Sequence, residues 1–180
     1  MDSKEMFKRV KRGRVAGMVR RYHTMTMAHP EDVAQHSFNV MNLLMIMTDG
    51  QASRNLMLYA LMHDQGEWMT GDIPSPVKRS MGAEAKTKLD AMEEAAINTI
   101  HVRGLPTLSP WEQRLFKLAD NLDGLIKVGA ELHQRRNKPF MLMNTGREYI
   151  KYLRQLTDGN DGPSAELVAY VIDNFERKFL

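Results

Sequence analysis

The sequence contains no cysteine. Disulfides, thiolate metal sites and cysteine nucleophiles are therefore excluded, and any metal ion must be held by histidine, carboxylate or water ligands. A chain of 180 residues can bury an ordinary hydrophobic core, so neither disulfides nor a structural metal is needed for folding. The length predicts a single domain over residues 1–180.

Long apolar runs are also absent. The longest candidate, residues 40–48, is far shorter than the ~20 residues that cross a bilayer, and it ends at Asp49 and Gly50. The first residues lack the apolar stretch and the small-residue cleavage site of a secretory signal. These absences predict a cytoplasmic protein without a membrane partner.

Positive charge is modest overall, with a formal net charge of +3, but it is uneven. Many basic residues lie near the start of the chain: Lys4, Lys8, Arg9, Lys11, Arg12, Arg14, Arg20 and Arg21. A solvated helix face explains the outer lysines best, and the alternative is a rim that attracts anions to a phosphate site. Because this segment lacks a series of aromatic stacking platforms, binding of a nucleic-acid polymer is not expected.

Apolar residues recur at helical spacing along most of the chain, whereas strand-like alternation is scarce. This pattern predicts an all-α fold of about seven helices without a sheet. The predicted helices are residues 3–21, 31–47, 52–62, 84–102, 109–136, 147–156 and 164–179, with loops at 25–30, 71–76 and 158–163. The start at Ser109 is the clearest, since this serine precedes Pro110 and stands three residues before Glu112.

Four ionisable residues fall on apolar helix faces. His36 has an apolar residue one turn before it and another one turn after it, and His63 with Asp64 ends a second apolar face. Asp120 has Gly124 one turn after it, which predicts space for a ligand or ion. Singly, each residue has a structural explanation, such as a hydrogen-bonded core histidine. Together, two imidazoles and two carboxylates form a good first-row metal site, and buried carboxylates are costly unless paired or metal-bound.

Several local motifs resemble those of the HD-domain phosphohydrolases. They are Arg21-Tyr22, Glu31-Asp32-Val33-Ala34-Gln35-His36-Ser37, His63-Asp64-Gln65-Gly66-Glu67, Thr70-Gly71-Asp72-Ile73-Pro74-Ser75-Pro76-Val77-Lys78 and Lys117-Leu118-Ala119-Asp120. An HD doublet alone is weak evidence, but HDxxE followed by TGDxPxPxK is highly specific. The resemblance covers about residues 14–156 and is strongest to bacterial 5′-deoxynucleotidases and phage dATP triphosphohydrolases. It implies an HD-domain helical bundle, followed by a C-terminal helix at 164–179, and host cytoplasm if the protein is phage-encoded.

The resemblance also implies one metal centre with catalytic carboxylates beside it. The implied metal ligands are His36, His63, Asp64 and Asp120. The implied catalytic carboxylates are Glu67 and Asp72, and an Asx turn is the alternative role of Asp72. The implied ion is zinc, cobalt or manganese, with magnesium as an optional ion on the substrate phosphates. A bound divalent ion lowers the pKa of water and polarises a phosphoryl oxygen.

The resemblance also implies which residues bind the substrate. Arg21 and Lys78 are expected to bind phosphate, and Tyr22 stands where the bacterial nucleotidases usually have tryptophan. Ser75 and Trp68 are further substrate-binding candidates, for which loop capping and core packing are the alternatives. Core packing is also favoured for Trp111, the second tryptophan.

The resemblance predicts hydrolysis of deoxynucleotides by attack of water at the α-phosphorus. The Arg21-Tyr22-His23-Thr24 stretch and the short chain narrowly favour a dATP triphosphohydrolase that releases deoxynucleoside and triphosphate. The alternative is a 5′-deoxynucleotidase acting on deoxynucleoside monophosphates. Further alternatives are a signalling-nucleotide phosphodiesterase and a non-catalytic helical binding module. Related enzymes form dimers or hexamers, which predicts a homo-oligomer. The apolar face of residues 164–179 is either a subunit contact or core.

Overall fold

The computed structural model describes residues 1–160 and 162–180. In that part of the chain the helices are α1 (Ser3–Gly17), α2 (Val33–Met47), α3 (Arg54–Met62), α4 (Glu67–Thr70), α5 (Ser75–Ser80), α6 (Gly82–Asn98), α7 (Pro110–His133), α8 (Phe140–Thr157) and α9 (Pro163–Phe179). The predicted all-α class is confirmed. Asp161, in the predicted break at 158–163, lies outside the described residues. None of the described helices combines the length and the apolar character needed to cross a membrane.

A short antiparallel pair of strands corrects the prediction that there is no sheet. Strand β1 (Arg20–Arg21) pairs with β2 (Glu31–Asp32), and Arg21 lies opposite Glu31. The pairing continues into α2, because the Val33 amide donates to the Val19 carbonyl at 3.0 Å. Two residues are too few to show an alternating pattern, so the sequence gives no signal for such strands.

One compact unit comprises residues 1–26, 30–38 and 53–107. It contains α1, the strand pair, the start of α2, and α3 to α6. Helix α4 lies unusually close to α6, since a Cβ added to Gly66 would fall 2.4 Å from the Glu93 carbonyl oxygen. The glycine at position 66 is therefore required by packing.

The predicted loop at 71–76 is shorter in the structure, because α5 already begins at Ser75. Gly71 ends α4 with a φ of 73°, in the left-handed region that favours glycine. Pro74 then precedes α5 as its N-cap residue. The short helices α4 and α5 lie within or beside the segment expected to be loop, and they are the two described helices in excess of the seven predicted.

The second compact unit comprises residues 27–29, 39–52 and 108–180. Helix α7 starts as predicted: the Ser109 amide donates to Glu112 Oε2 at 2.8 Å, and the Glu112 amide donates to Ser109 Oγ at 3.3 Å. Trp111, in the first turn, is 63% exposed, so the expectation of core packing is wrong for this residue. Helix α8 begins at Phe140 rather than near residue 147.

The C-terminal helix α9 contributes to the core of this unit. Ile172 and Phe175 are buried, and a Cβ added to Gly146 of α8 would lie 2.3 Å from the Phe175 ring. Of the two alternatives, subunit contact or core, the core therefore applies to these two side chains. The homo-oligomer and the single domain over residues 1–180 stay predictions.

Candidate metal and phosphate site

Three of the predicted metal ligands lie together in the first unit. His36 Nε2 is 3.6 Å from Asp64 Oδ2, and His63 Nε2 is 3.2 Å from the same oxygen. Ligand atoms of the three residues all lie within 4.8 Å of one another. His36 is fully buried, as its apolar neighbours in sequence predicted. This spacing of the three ligand atoms is suitable for binding a single ion.

The ring of His63 is oriented by the end of α3. Ser53 caps the start of this helix by accepting the Leu56 amide at 3.1 Å, and Leu56 and Ala60 are buried. His63 follows as the C-cap residue, with Nδ1 at 2.8 Å from the Ala60 carbonyl oxygen. When Nδ1 donates to this carbonyl, Nε2 presents its lone pair toward Asp64 and a metal ion.

Asp64 is held in its ionised form by the groups around it. Arg21 Nη1 donates to Asp64 Oδ2 at 2.7 Å, and Arg21 Nε is 3.3 Å from Glu31 Oε1 across the strand pair. Burial alone would raise the pKa of Asp64. His63, Arg21 and His36 outweigh it and hold that pKa well below its ordinary value. An ionised carboxylate is the form that binds a cation.

The donor set tests whether a metal ion fits. Two imidazole nitrogens and one carboxylate oxygen match the preferences of divalent zinc, cobalt and manganese. The fourth predicted ligand, Asp120, is half-buried on α7 in the second unit, and its participation stays a prediction. The space expected at Gly124 is taken by a side chain, because a Cβ there would lie 2.3 Å from the Tyr149 ring. This corrects the interpretation of Gly124.

Glu67 lies close to the metal ligands in sequence and is 3% exposed. The helix does not run unbroken from Asp64 to Glu67, since α3 ends at Met62 and α4 begins at Glu67. A turn joins the two residues instead, with the Glu67 amide donating to the Asp64 carbonyl at 3.0 Å. Burial, followed by the charges of Asp64 and Asp72, raises the pKa of Glu67 to about 9. At neutral pH this carboxyl therefore carries a proton that it can donate.

Lys78 faces two carboxylates, one of which the sequence analysis missed. Its Nζ is 3.5 Å from Glu67 Oε1 and 3.6 Å from Glu93 Oε1. Burial lowers the pKa of Lys78, but Glu67 and Glu93 outweigh it, so that the pKa is raised. A signal for Glu93 was present: it lies one turn after Leu89 and one turn before Ile97, both buried. Apolar residues one turn before and one turn after are also what identifies His36 in the sequence.

Asp72 and Tyr22 meet through the backbone. The Tyr22 amide donates to Asp72 Oδ2 at 3.2 Å, so Asp72 contacts a segment that is distant in sequence. Tyr22 is buried and has a φ of 54°, a left-handed conformation that is costly for a residue other than glycine. The Arg21 guanidinium lies 5.6 Å from the Tyr22 ring centroid. The structure thus brings Arg21, Tyr22 and Asp72 together.

The two remaining substrate-binding candidates are placed less centrally. Trp68 is half-buried, and its indole nitrogen donates to the Ala96 carbonyl of α6 at 3.4 Å. Packing against α6, the alternative given above, describes this contact. Ser75 is exposed at the start of α5. Contact of either residue with a base or phosphate stays a prediction.

Comparison with known proteins identifies the family of this chain. Residues 14–159 match the YfbR-like 5′-deoxynucleotidases. The chain belongs to this family. The resemblance to HD-domain phosphohydrolases is thereby confirmed. A curated relative, the 4′-phosphooxetanocin A phosphatase of Priestia megaterium, is 31% identical over 130 residues. That match covers 62% of this chain and 66% of the length of the relative.

Solved structures of HD-domain phosphohydrolases have the same fold. The cyanophage S-2L enzyme DatZ, bound to dA and one catalytic Zn²⁺ ion, matches with a TM-score of 0.66 at 18% identity, over 98% of this chain and 95% of that chain. An HD-domain phosphohydrolase from Listeria innocua matches with a TM-score of 0.66 at 18% identity, over 96% and 99% of the respective chains. At this level of identity the likeness establishes the fold.

Proposed function

We propose that this protein is a metal-dependent phosphohydrolase of deoxynucleotides, with water attacking the α-phosphorus. The observation that carries the proposal is the cluster of ligand atoms from His36, His63 and Asp64 within 4.8 Å. The buried Glu67, whose pKa is raised to about 9, stands three residues after Asp64. Family membership supports the same reaction class.

His36, His63 and Asp64 would hold the ion, with Asp120 as the predicted fourth ligand. When bound, a divalent ion supplies a water of lowered pKa and a Lewis acid for a phosphoryl oxygen. Zinc is supported by the structural neighbour DatZ, which is bound to one catalytic Zn²⁺ ion. Cobalt and manganese suit the same donors.

The chain's own residues supply proton transfer and phosphate binding. We assign to Glu67 the donation of its proton to the leaving 5′ oxygen, which otherwise departs as a poor alkoxide. Arg21 offers a planar fork of donors to a phosphate, and Lys78 adds a point charge. Arg21 already contacts Asp64, and Lys78 lies 3.6 Å from Glu93 Oε1, so a bound phosphate would compete with these carboxylates for the two cations.

Between the two substrates, we propose the deoxynucleoside 5′-monophosphate first. Arg21 and Lys78 are the two cationic side chains expected to bind phosphate. The positive charge of each already faces acidic groups of the first unit. The β and γ phosphates of a triphosphate would require further cations. The family is that of 5′-deoxynucleotidases, and the curated relative is a phosphatase. These points outweigh the narrow preference for dATP drawn from sequence.

A dATP triphosphohydrolase is the second candidate. It is favoured by the match to DatZ, a phage protein bound to dA, over 98% of this chain. The two candidates differ in their products, because a monophosphate yields orthophosphate and a triphosphate yields inorganic triphosphate.

The test is incubation of the zinc-, cobalt- or manganese-loaded protein with dAMP and with dATP, with products resolved by ion exchange. We expect deoxyadenosine and orthophosphate from dAMP. Asp64→Asn should abolish this activity, whereas Asp90→Asn, at an exposed carboxylate of α6, should not. Triphosphate from dATP with dAMP untouched would establish the second candidate. No hydrolysis of any deoxynucleotide with any of these metals would refute both.

A further inference from the structure

The Lys78 ammonium lies between the carboxyl groups of Glu67 and Glu93, which belong to two different helices of the first unit. We propose that Glu93 is a positioning residue that keeps the Lys78 ammonium in place for the substrate phosphate. This inference rests on the proposed function, because it assigns Lys78 to phosphate binding. Glu93 lies outside the motifs that resemble the family.

The first observation is the close approach of α4 to α6. A Cβ added to Gly66 would lie 2.4 Å from the Glu93 carbonyl oxygen and 2.7 Å from Glu93 Cα. Trp68 also donates from its indole nitrogen to the Ala96 carbonyl at 3.4 Å. The backbone of α6 around Glu93 is therefore fixed against the segment that carries Glu67.

The second observation is that Glu93 is itself restrained. Thr70 Oγ1 donates to Glu93 Oε1 at 3.3 Å, and Lys78 Nζ lies 3.6 Å from the same oxygen. The side chain of Glu93 is 18% exposed and that of Lys78 is 30% exposed. By contrast, the pair Lys88–Glu84 on the same helix is 73% and 84% exposed. Exposed pairs of that kind contribute little, whereas a restrained, partly buried pair can hold a side chain in place.

Loss of Glu93 would change the position of the Lys78 ammonium. Lys78 would keep the Glu67 carboxyl beside it, with Oε1 at 3.5 Å. Because Glu67 carries a proton at neutral pH, the ammonium would lose the ionised carboxylate that restrains it and would leave its position. Glu67 is the proposed proton donor, so this shift would affect both phosphate binding and proton transfer. Glu93 would thus act through Lys78, without touching the substrate.

The first test needs no catalytic activity. Trace acetylation of the purified protein, followed by peptide mass spectrometry, reports how reactive the Lys78 amine is. Glu93→Gln removes a charge that raises the pKa of Lys78, so we expect Lys78 to become several-fold more reactive. Glu94→Gln removes the adjacent exposed carboxylate on α6 and is the matched control. Unchanged reactivity of Lys78 in Glu93→Gln would overturn the proposal.

The second test is a double-mutant cycle on dAMP hydrolysis. We expect Glu93→Gln to lower kcat about tenfold, with a smaller effect on KM, and Glu93→Asp to restore part of the loss. In a Lys78→Met background, Glu93→Gln should change kcat by less than about twofold. Effects that multiply would show a role independent of Lys78 and overturn the proposal. If the wild-type protein hydrolyses no nucleotide, the proposed function fails, and the acetylation result alone decides on Glu93.

Discussion

Glu67 is the residue whose environment makes the most quantitative prediction. It is 3% exposed, and burial raises its pKa to about 9 from an ordinary value of 4.5, with further contributions from Asp64 and Asp72. Replacing it with glutamine removes the ionisable group and keeps nearly the same shape. In the metal-free protein we expect Glu67→Gln to increase stability at neutral and alkaline pH, even though it removes a proposed catalytic group.

The direction in which stability changes with pH follows from proton linkage. Below pH 4.5 the carboxyl is protonated in both the folded and the unfolded state, so it adds no pH dependence. Between pH 4.5 and about 9, the unfolded chain loses this proton and the folded chain keeps it. Stability therefore falls by ~1.4 kcal/mol per pH unit as pH rises through this window. At about pH 7 the loss from this group is roughly 3 kcal/mol, or about 6–12 °C in melting temperature for a chain of this size.

Thermal unfolding followed by circular dichroism, in the presence of a chelator and from about pH 4.5 to pH 9, measures this difference. The melting temperature of Glu67→Gln should equal that of the wild type at the acidic end and exceed it increasingly as pH rises. Glu94→Gln, at an exposed position, should follow the wild type throughout. A difference that does not change with pH, or a variant less stable than the wild type at about pH 7, would refute the reasoning.

Two further predictions concern the metal site and the helix packing. Asp64→Asn should weaken zinc binding by on the order of 100-fold or more, because it removes an ionised ligand beside His36 and His63; titration calorimetry measures this, and affinity equal to that of wild type would contradict the assignment. Gly66→Ala should destabilise the protein by ~2–3 kcal/mol, since its Cβ would meet the Glu93 carbonyl at 2.4 Å. Gly13→Ala is its control in calorimetric melting, because the Cβ there would be 3.6 Å from Ile100, and equal melting temperatures of the two variants would show that α4 can move away from α6.

The helices could be predicted because their signals are local. The capping box of Ser109 and Glu112 lies within four consecutive residues, and both of its hydrogen bonds are formed. The inward orientation of His36 follows from the apolar residues one turn away on either side, and the structure places it in the core. The motif spacing also led to the family, which the match over residues 14–159 shows.

Helix ends and very short elements could not be predicted to the same degree. The loop expected at 71–76 includes the first residues of α5, and α8 begins at Phe140, well before the predicted residue 147. In both places proline and glycine, which often break helices, occur within or next to a helix. The strand pair of Arg21 and Glu31 depends on a contact between segments separated by a loop, so no local pattern reports it.

The sequence by itself determined the helical class, the inward-facing histidines and the motifs that point to phosphate chemistry, because each of these depends on spacing along one helix or one loop. Only the tertiary structure decided which charges meet. The contact of Arg21 with Asp64, the second carboxylate Glu93 beside Lys78, and the Tyr149 ring in the space at Gly124 all join distant segments. Such contacts depend on how helices pack, and the pKa of a buried group such as Glu67 is set by that packing.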